Sequence, residues 1–145
     1  MRNTTLKTVA YWFTTGLLCL DFLVGGAFQI ARSPQAVEGF AHLGYPAYFV
    51  AFLGVWKILG ALVLLIPGFP RLKEWAYAGI FFDVSAAVVS VVAVGDGAGP
   101  ALLPFAFVLL TLTSWALRPA SRAMQSSAAQ RAAGTELTAP ASAAA

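Results

Sequence analysis

The chain has 145 residues, 59% of them hydrophobic and 10% charged, with a formal net charge of +3. Soluble domains carry about 25% charged residues, and a chain of this length could not hide so much apolar surface in one core, so a soluble globular domain is excluded and lipid is the expected solvent. The basic residues are not clustered as a nucleic-acid footprint would be, and the single cysteine, Cys19, excludes an internal disulfide.

In chain order, the first predicted element is an apolar run from Val9 to Ala31, interrupted only by Asp21. Its length suits a membrane span, which needs about 20 mostly apolar residues. Arg2 and Lys7 precede it like the basic region of a signal peptide. The apolar stretch is longer than such peptides use, however, and no small-residue cleavage site follows, so it is read as retained. Ser33 can cap a helix and Pro34 suits its first position. Gly44 and Pro46 suit its end. Pro34–Leu43 is therefore predicted as a short amphipathic helix lying at the membrane surface or over the bundle mouth. Glu38 and His42, four residues apart on it, form either a lid or ligand contact or simply a polar interfacial face. One His and one Glu do not make a metal site, and no metal is expected.

Tyr48–Ile66 is the second predicted span, interrupted only by Lys57. A tight turn over Pro67–Glu74, with Arg71 and Lys73, leads to the third, Trp75–Val94, interrupted only by Asp83. Asp96 lies in the glycine-rich turn 95–99 and is expected to be solvated and to position that turn. The fourth span, Pro100–Leu117, carries no charge, and Pro104 falls in its first turns, where a missing backbone donor does least harm. The Ala/Ser-rich segment 119–145 has nothing with which to build a core and is expected to be disordered. The fold class is thus all-α: a four-helix transmembrane bundle with a short amphipathic helix between spans 1 and 2. Arg2, Lys7, Arg71, Lys73, Arg118, Arg122 and Arg131 fall on one side and Arg32 on the other, which places both termini in the cytoplasm and the protein in the cell (inner) membrane.

Asp21, Lys57 and Asp83 carry the most information. At about 1.5 Å per residue they lie about 18, 14 and 12 Å from the cytoplasmic ends of their helices, which is one layer. A charge at mid-bilayer costs at least about 2.5–3.5 kcal/mol, so Lys57 is predicted to face the interior and bridge Asp21, Asp83 or both. Gly54, Gly60 and Ala61 around Lys57, and Gly79, Ala86, Ala87 and Ser90 around Asp83, would let the backbones come together. The trio then either holds the helices in register or serves a proton relay or ligand site. Cys19 is expected to be a small buried packing residue.

The runs GFAHLGYP (Gly39–Pro46), GVWKILGALVLLIPGFPRLKEWAYAGIFFD (Gly54–Asp83) and VGD (Val94–Asp96) resemble the DoxX-like family of small membrane proteins, over roughly Tyr11 to Pro119. The resemblance implies a four-helix membrane bundle. It also implies links to thiosulfate and quinone oxidoreduction, to oxidative-stress systems or to membrane assembly. Similar members carry a Ser-His pair late in the third helix where this chain has Ser90-Val91, which weakens any ligand or redox role that rests on that histidine. The expected function is that of an accessory to a redox or oxidative-stress system. It would have no cofactor of its own, its partners being the bilayer and a membrane or redox protein. A small transporter or proton-coupled binding protein, and a membrane assembly factor, stand as alternatives. So does a quinone-linked subunit in which Phe81, Phe82, Phe105 and Phe107 flank a flat ring.

Overall fold

The computed structural model describes residues 2–119 and 122. Among them the chain forms five helices: α1 (Arg2–Ile30), α2 (Pro34–His42), α3 (Ala47–Leu65), α4 (Pro70–Ala93) and α5 (Ala98–Ala116). All but α2 are long and apolar enough to cross a membrane. Their outer faces carry Phe13, Leu20, Phe52, Trp75, Phe82 and Leu103, all exposed. Such side chains would be costly in water and are at ease among acyl chains. The protein is a multi-pass membrane bundle. Of the segment 119–145, expected to be disordered, all but Pro119 and Arg122 lies outside the described residues, Arg131 included.

The spans form a closed ring in which α1 packs on α3 and α5, and α4 packs on α5 and α3. Leu18, Cys19 and Phe22 from α1, Ala61 and Leu64 from α3, and Tyr77, Ile80 and Val84 from α4 make the core. The closest approach is between α1 and α3. A Cβ on Gly54 would lie 2.7 Å from the Gly26 carbonyl oxygen, and one on Gly26 would lie 2.9 Å from that of Gly54. Gly54 thus serves the α1 contact, not a seam with α4. Gly60 would meet only Ile80, at 3.7 Å, and Gly79 would meet nothing within 4 Å, so neither is needed for close packing.

Local chemistry sets the helix ends. The Ala36 N–H donates to Ser33 Oγ at 3.3 Å, and Pro34 opens α2, as the sequence predicts. α2 then closes at Gly44, whose φ of 83° suits a residue without Cβ. Gly44 N–H donates to Ala41 O and Tyr45 N–H to Phe40 O, which together satisfy the last carbonyls of the helix. Arg32 closes α1 in the same way with φ 51°, at the strain a side chain brings there.

Two expectations are corrected. The turn expected over Pro67–Glu74 is shorter, because Pro70 takes the first position of α4 and brings Arg71, Lys73 and Glu74 into the helix. Proline has no N–H to lose at that position and its φ is already helical. Pro104 sits inside α5, beyond the first turn, where its missing donor interrupts the backbone ladder.

Candidate functional site

Lys57 projects from α3 and Asp83 from α4, and their charged atoms lie 3.4 Å apart, Nζ to Oδ2. The lysine ammonium also sits 5.1 Å from the centre of the Phe22 ring of α1. Both side chains keep some accessible surface, 17% and 14% respectively. Asp21 is exposed and makes no ion pair among the described residues. Lys57 therefore bridges Asp83 and not Asp21.

Asp21, Lys57 and Asp83 together border a half-open cavity of about 370 Å³. It runs between the four spans towards α2, and Phe40, Leu43 and Tyr45 of α2 and its exit turn lie across that end. Tyr45 stacks on Phe49 at 5.2 Å between ring centres, and Phe40 lies 5.8 Å from Tyr45. Pro104 and Phe107 of α5 and Ala86 and Ala87 of α4 complete the wall. Gln29 of α1 borders the same space. It is 7% exposed, and its Oε1 has no hydrogen-bond partner among the described residues.

Two polar contacts hold the α2 end in place. His42 Nε2 donates to Asp96, 2.9 Å from each carboxylate oxygen, joining α2 to the turn between α4 and α5. Asp96 is thus tied to α2, not simply solvated at its turn. Glu38, read with His42 as either a lid or an interfacial polar face, is exposed and takes no part in this contact. The Tyr45 hydroxyl meets Ser90 Oγ at 2.8 Å, and Ser90 donates in turn to Ala86 O.

The opposite end of the bundle, which carries the start of α1 and the end of α5, is built differently. Ser114 Oγ lies 2.7 Å from Thr15 Oγ1 and 2.8 Å from the Tyr77 hydroxyl, which ties α1, α4 and α5 together. Tyr11, Thr15, Tyr77 and Ser114 are all buried. Lys73 is fully buried, and its Nζ donates to Val63 O at 2.7 Å and to Ile66 O. Arg122 Nη1 donates to Leu64 O at 2.8 Å while its guanidinium lies 4.5 Å from the Trp12 ring centre. The two cations occupy the carbonyl end of α3, where the helix dipole favours positive charge. Arg118 pairs with Glu74, which also accepts from Trp115 Nε1 at 3.0 Å. Sequence reasoning finds none of these contacts. The signals available are the one-turn spacing of Tyr11 and Thr15 on a single face and Pro70 at a helix start.

Cys19 is buried and its Sγ lies 3.7 Å from Ala61 O, a packing position. Among the described residues no group of three His, Cys, Asp or Glu is placed to hold a metal ion. Of the four phenylalanines considered as flanks for a flat ring, Phe107 borders the cavity, Phe81 and Phe82 line a hollow beside Trp115, and Phe105 is exposed. They are divided among different faces. A second, apolar space of about 450 Å³ lies along the seam of α3 and α4, bordered by Trp56, Trp75, Leu59 and Leu72, with Lys57 and Asp83 at its inner edge.

The sequence model of the family described as the DoxX-like family matches residues 13–114. An uncharacterized protein, YdgD, of Bacillus subtilis (strain 168) is 36% identical over 47 residues, which is 32% of this chain and 41% of that protein. The match thus spans less than half the length of this relative. No solved structure matches the chain.

Proposed function

This chain belongs to the DoxX-like family, and from that premise we propose that it is a membrane-embedded binding protein, accessory to a redox or oxidative-stress system. It takes its ligand in the cavity beneath α2, with Asp21, Lys57 and Asp83 as the polar recognition point. The observation that carries this reading is the open state of the charged layer. A pair kept only to hold helices in register is best sealed by side chains, since accessible surface weakens the attraction. Here three ionisable groups border a space of about 370 Å³, which is within the range of small-molecule sites. Intramembrane ionisable residues facing such a space mark functional sites by default.

The redox or stress setting rests on the resemblance of Gly54–Asp83 to members of the family. The orientation rests on charge: Lys7, Arg71, Lys73, Arg118 and Arg122 lie at the end with the start of α1 and the end of α5, which we place in the cytoplasm. The cavity then faces the outer side of the cell membrane. Binding is favoured over transport by the filled layer of Tyr11, Thr15, Tyr77 and Ser114, which closes the bundle on the other side among the described residues.

The test is accessibility. Leu53 borders the cavity. Leu53→Cys, made with Cys19→Ser, is exposed in sealed vesicles to a membrane-impermeant maleimide on one side at a time. Labelling is expected from the outer side only. Absence of labelling from both sides overturns the binding reading, and labelling from both sides favours transport.

A further inference from the structure

The polar atoms of the cavity also specify the charge of what it holds. Asp83 takes up the charge of Lys57, and the ammonium has the Phe22 face on its other side. Asp21 borders the same space with no ion pair among the described residues, so the three groups leave one negative charge when ionised. Gln29 borders the same space, but its Oε1 is shut off within the wall and does not enter this charge balance. The one hydroxyl on the roof, that of Tyr45, is already engaged by Ser90. What the cavity lacks is therefore positive charge.

The walls fit the same occupant. Phe22, Phe40, Tyr45, Phe49 and Phe107 border the space, and aromatic faces attract cations most strongly where water is scarce. A divalent metal does not fit. It would want six or more oxygen ligands, or a tight set of His and Cys, and no group of three such residues is placed for it among the described residues. An anion would compete with Asp83 for Lys57 and meet Asp21 as a like charge.

We propose, resting on the binding reading above, that the cavity beneath α2 is a site for a monovalent organic cation, an amphipathic amine or quaternary ammonium. Its charged centre lies beside Asp21 and its apolar body runs among Leu53, Phe107 and the aromatic roof.

Three probes of matched shape test the charge: benzyltrimethylammonium, neutral neopentylbenzene and anionic phenylmethanesulfonate. Each is titrated calorimetrically into the full chain in lipid nanodiscs, with empty nanodiscs as the blank. The expected result is saturable binding of the cation, at least tenfold weaker binding of the neutral probe, and none of the anion. Asp21→Asn is expected to weaken the cation at least tenfold, while Asp21→Glu, which keeps the charge, stays within about threefold of wild type. Circular dichroism melting shows that both variants are folded, which is expected because Asp21 supports no ion pair among the described residues. Equal binding of the cationic and neutral probes, or an Asp21→Asn variant that binds the cation as wild type does, overturns the assignment. If the Leu53→Cys labelling still succeeds in that case, the binding reading survives. If labelling fails as well, both fall.

Discussion

Removing the lysine should cost more than removing the lysine and its partner together. Two unit charges 3.4 Å apart attract by about 5 kcal/mol at an effective dielectric of about 20. That attraction offsets the cost of taking both groups out of water, so the pair as a unit is worth little. Breaking it is another matter. Lys57→Met strands the Asp83 carboxylate, 14% accessible, with Asp21 nearby as a like charge. Stranding a buried charge costs about 3–5 kcal/mol, and contact with the cavity puts the expected loss near the lower end, about 3 kcal/mol. Asp83→Leu should cost less, about 2 kcal/mol, because Asp21 borders the same cavity as Lys57 and leaves the ammonium a second carboxylate nearby. The double variant Lys57→Met/Asp83→Leu should lose no more than about 2 kcal/mol, since no charge is left without its partner except the exposed Asp21. The coupling energy is then about 3 kcal/mol, well above the scatter of independent sites. SDS-driven unfolding in mixed micelles, followed by fluorescence of the four tryptophans, measures all three variants. If the double variant loses the sum of the two single losses, the two side chains are energetically independent and the pairing argument fails.

Gly54→Ala should destabilise the bundle by about 1–3 kcal/mol, because the new methyl would lie 2.7 Å from the Gly26 carbonyl oxygen and force the α1–α3 backbones apart. Gly60→Ala, whose methyl would meet only Ile80 at 3.7 Å, should stay within about 0.5 kcal/mol in the same unfolding assay. Lys73→Met should cost about 2–3 kcal/mol by leaving the Val63 and Ile66 carbonyls without their charged donor. Faster amide exchange in the last turn of α3 and the turn after it would register the loss, and unchanged exchange there would show that the cap is dispensable.

The spans are legible in the sequence because an unbroken run of about twenty apolar residues suits little besides a bilayer, and the cap at Ser33 is legible because its chemistry is local. Inferences that need direction around a helix are the ones that fail. Depth along the axis puts Asp21, Lys57 and Asp83 in one layer, but it says nothing about which carboxylate lies on the lysine's side. Gly54 reads as a close-approach residue, yet its partner Gly26 sits on a different helix from the one its neighbour Lys57 pairs with. Lys73 reads as a loop charge because Pro67, Gly68 and Pro70 crowd the sequence just before it. The preference of proline for the first helical turn moves the helix start earlier, to Pro70, and puts Lys73 within reach of α3. The Thr15–Ser114–Tyr77 contact has no pattern to betray it. Hydroxyls in membrane spans more often bond their own preceding turn, as Thr111 and Thr113 do here.

The two ends of the bundle solve opposite problems with similar residues. At the end that carries the start of α1 and the end of α5, buried hydroxyls of three helices meet one another and two cations meet the carbonyls of α3, while the buried Tyr11 hydroxyl has no partner among the described residues. Beneath α2 the side chains facing inward include Ala86, Ala87 and Pro104, too small or too rigid to fill the space. The Asp21 carboxylate there has no ion pair among the described residues. A bundle built only for stability would gain by filling that space, because a cavity forfeits contacts on every wall. The void lies on the side where a short helix is fastened by one ionisable contact, His42 to Asp96, and one hydroxyl pair, Tyr45 to Ser90. Neither contact belongs to the packed core of the spans, so the binding reading proposed above has its entry on this half.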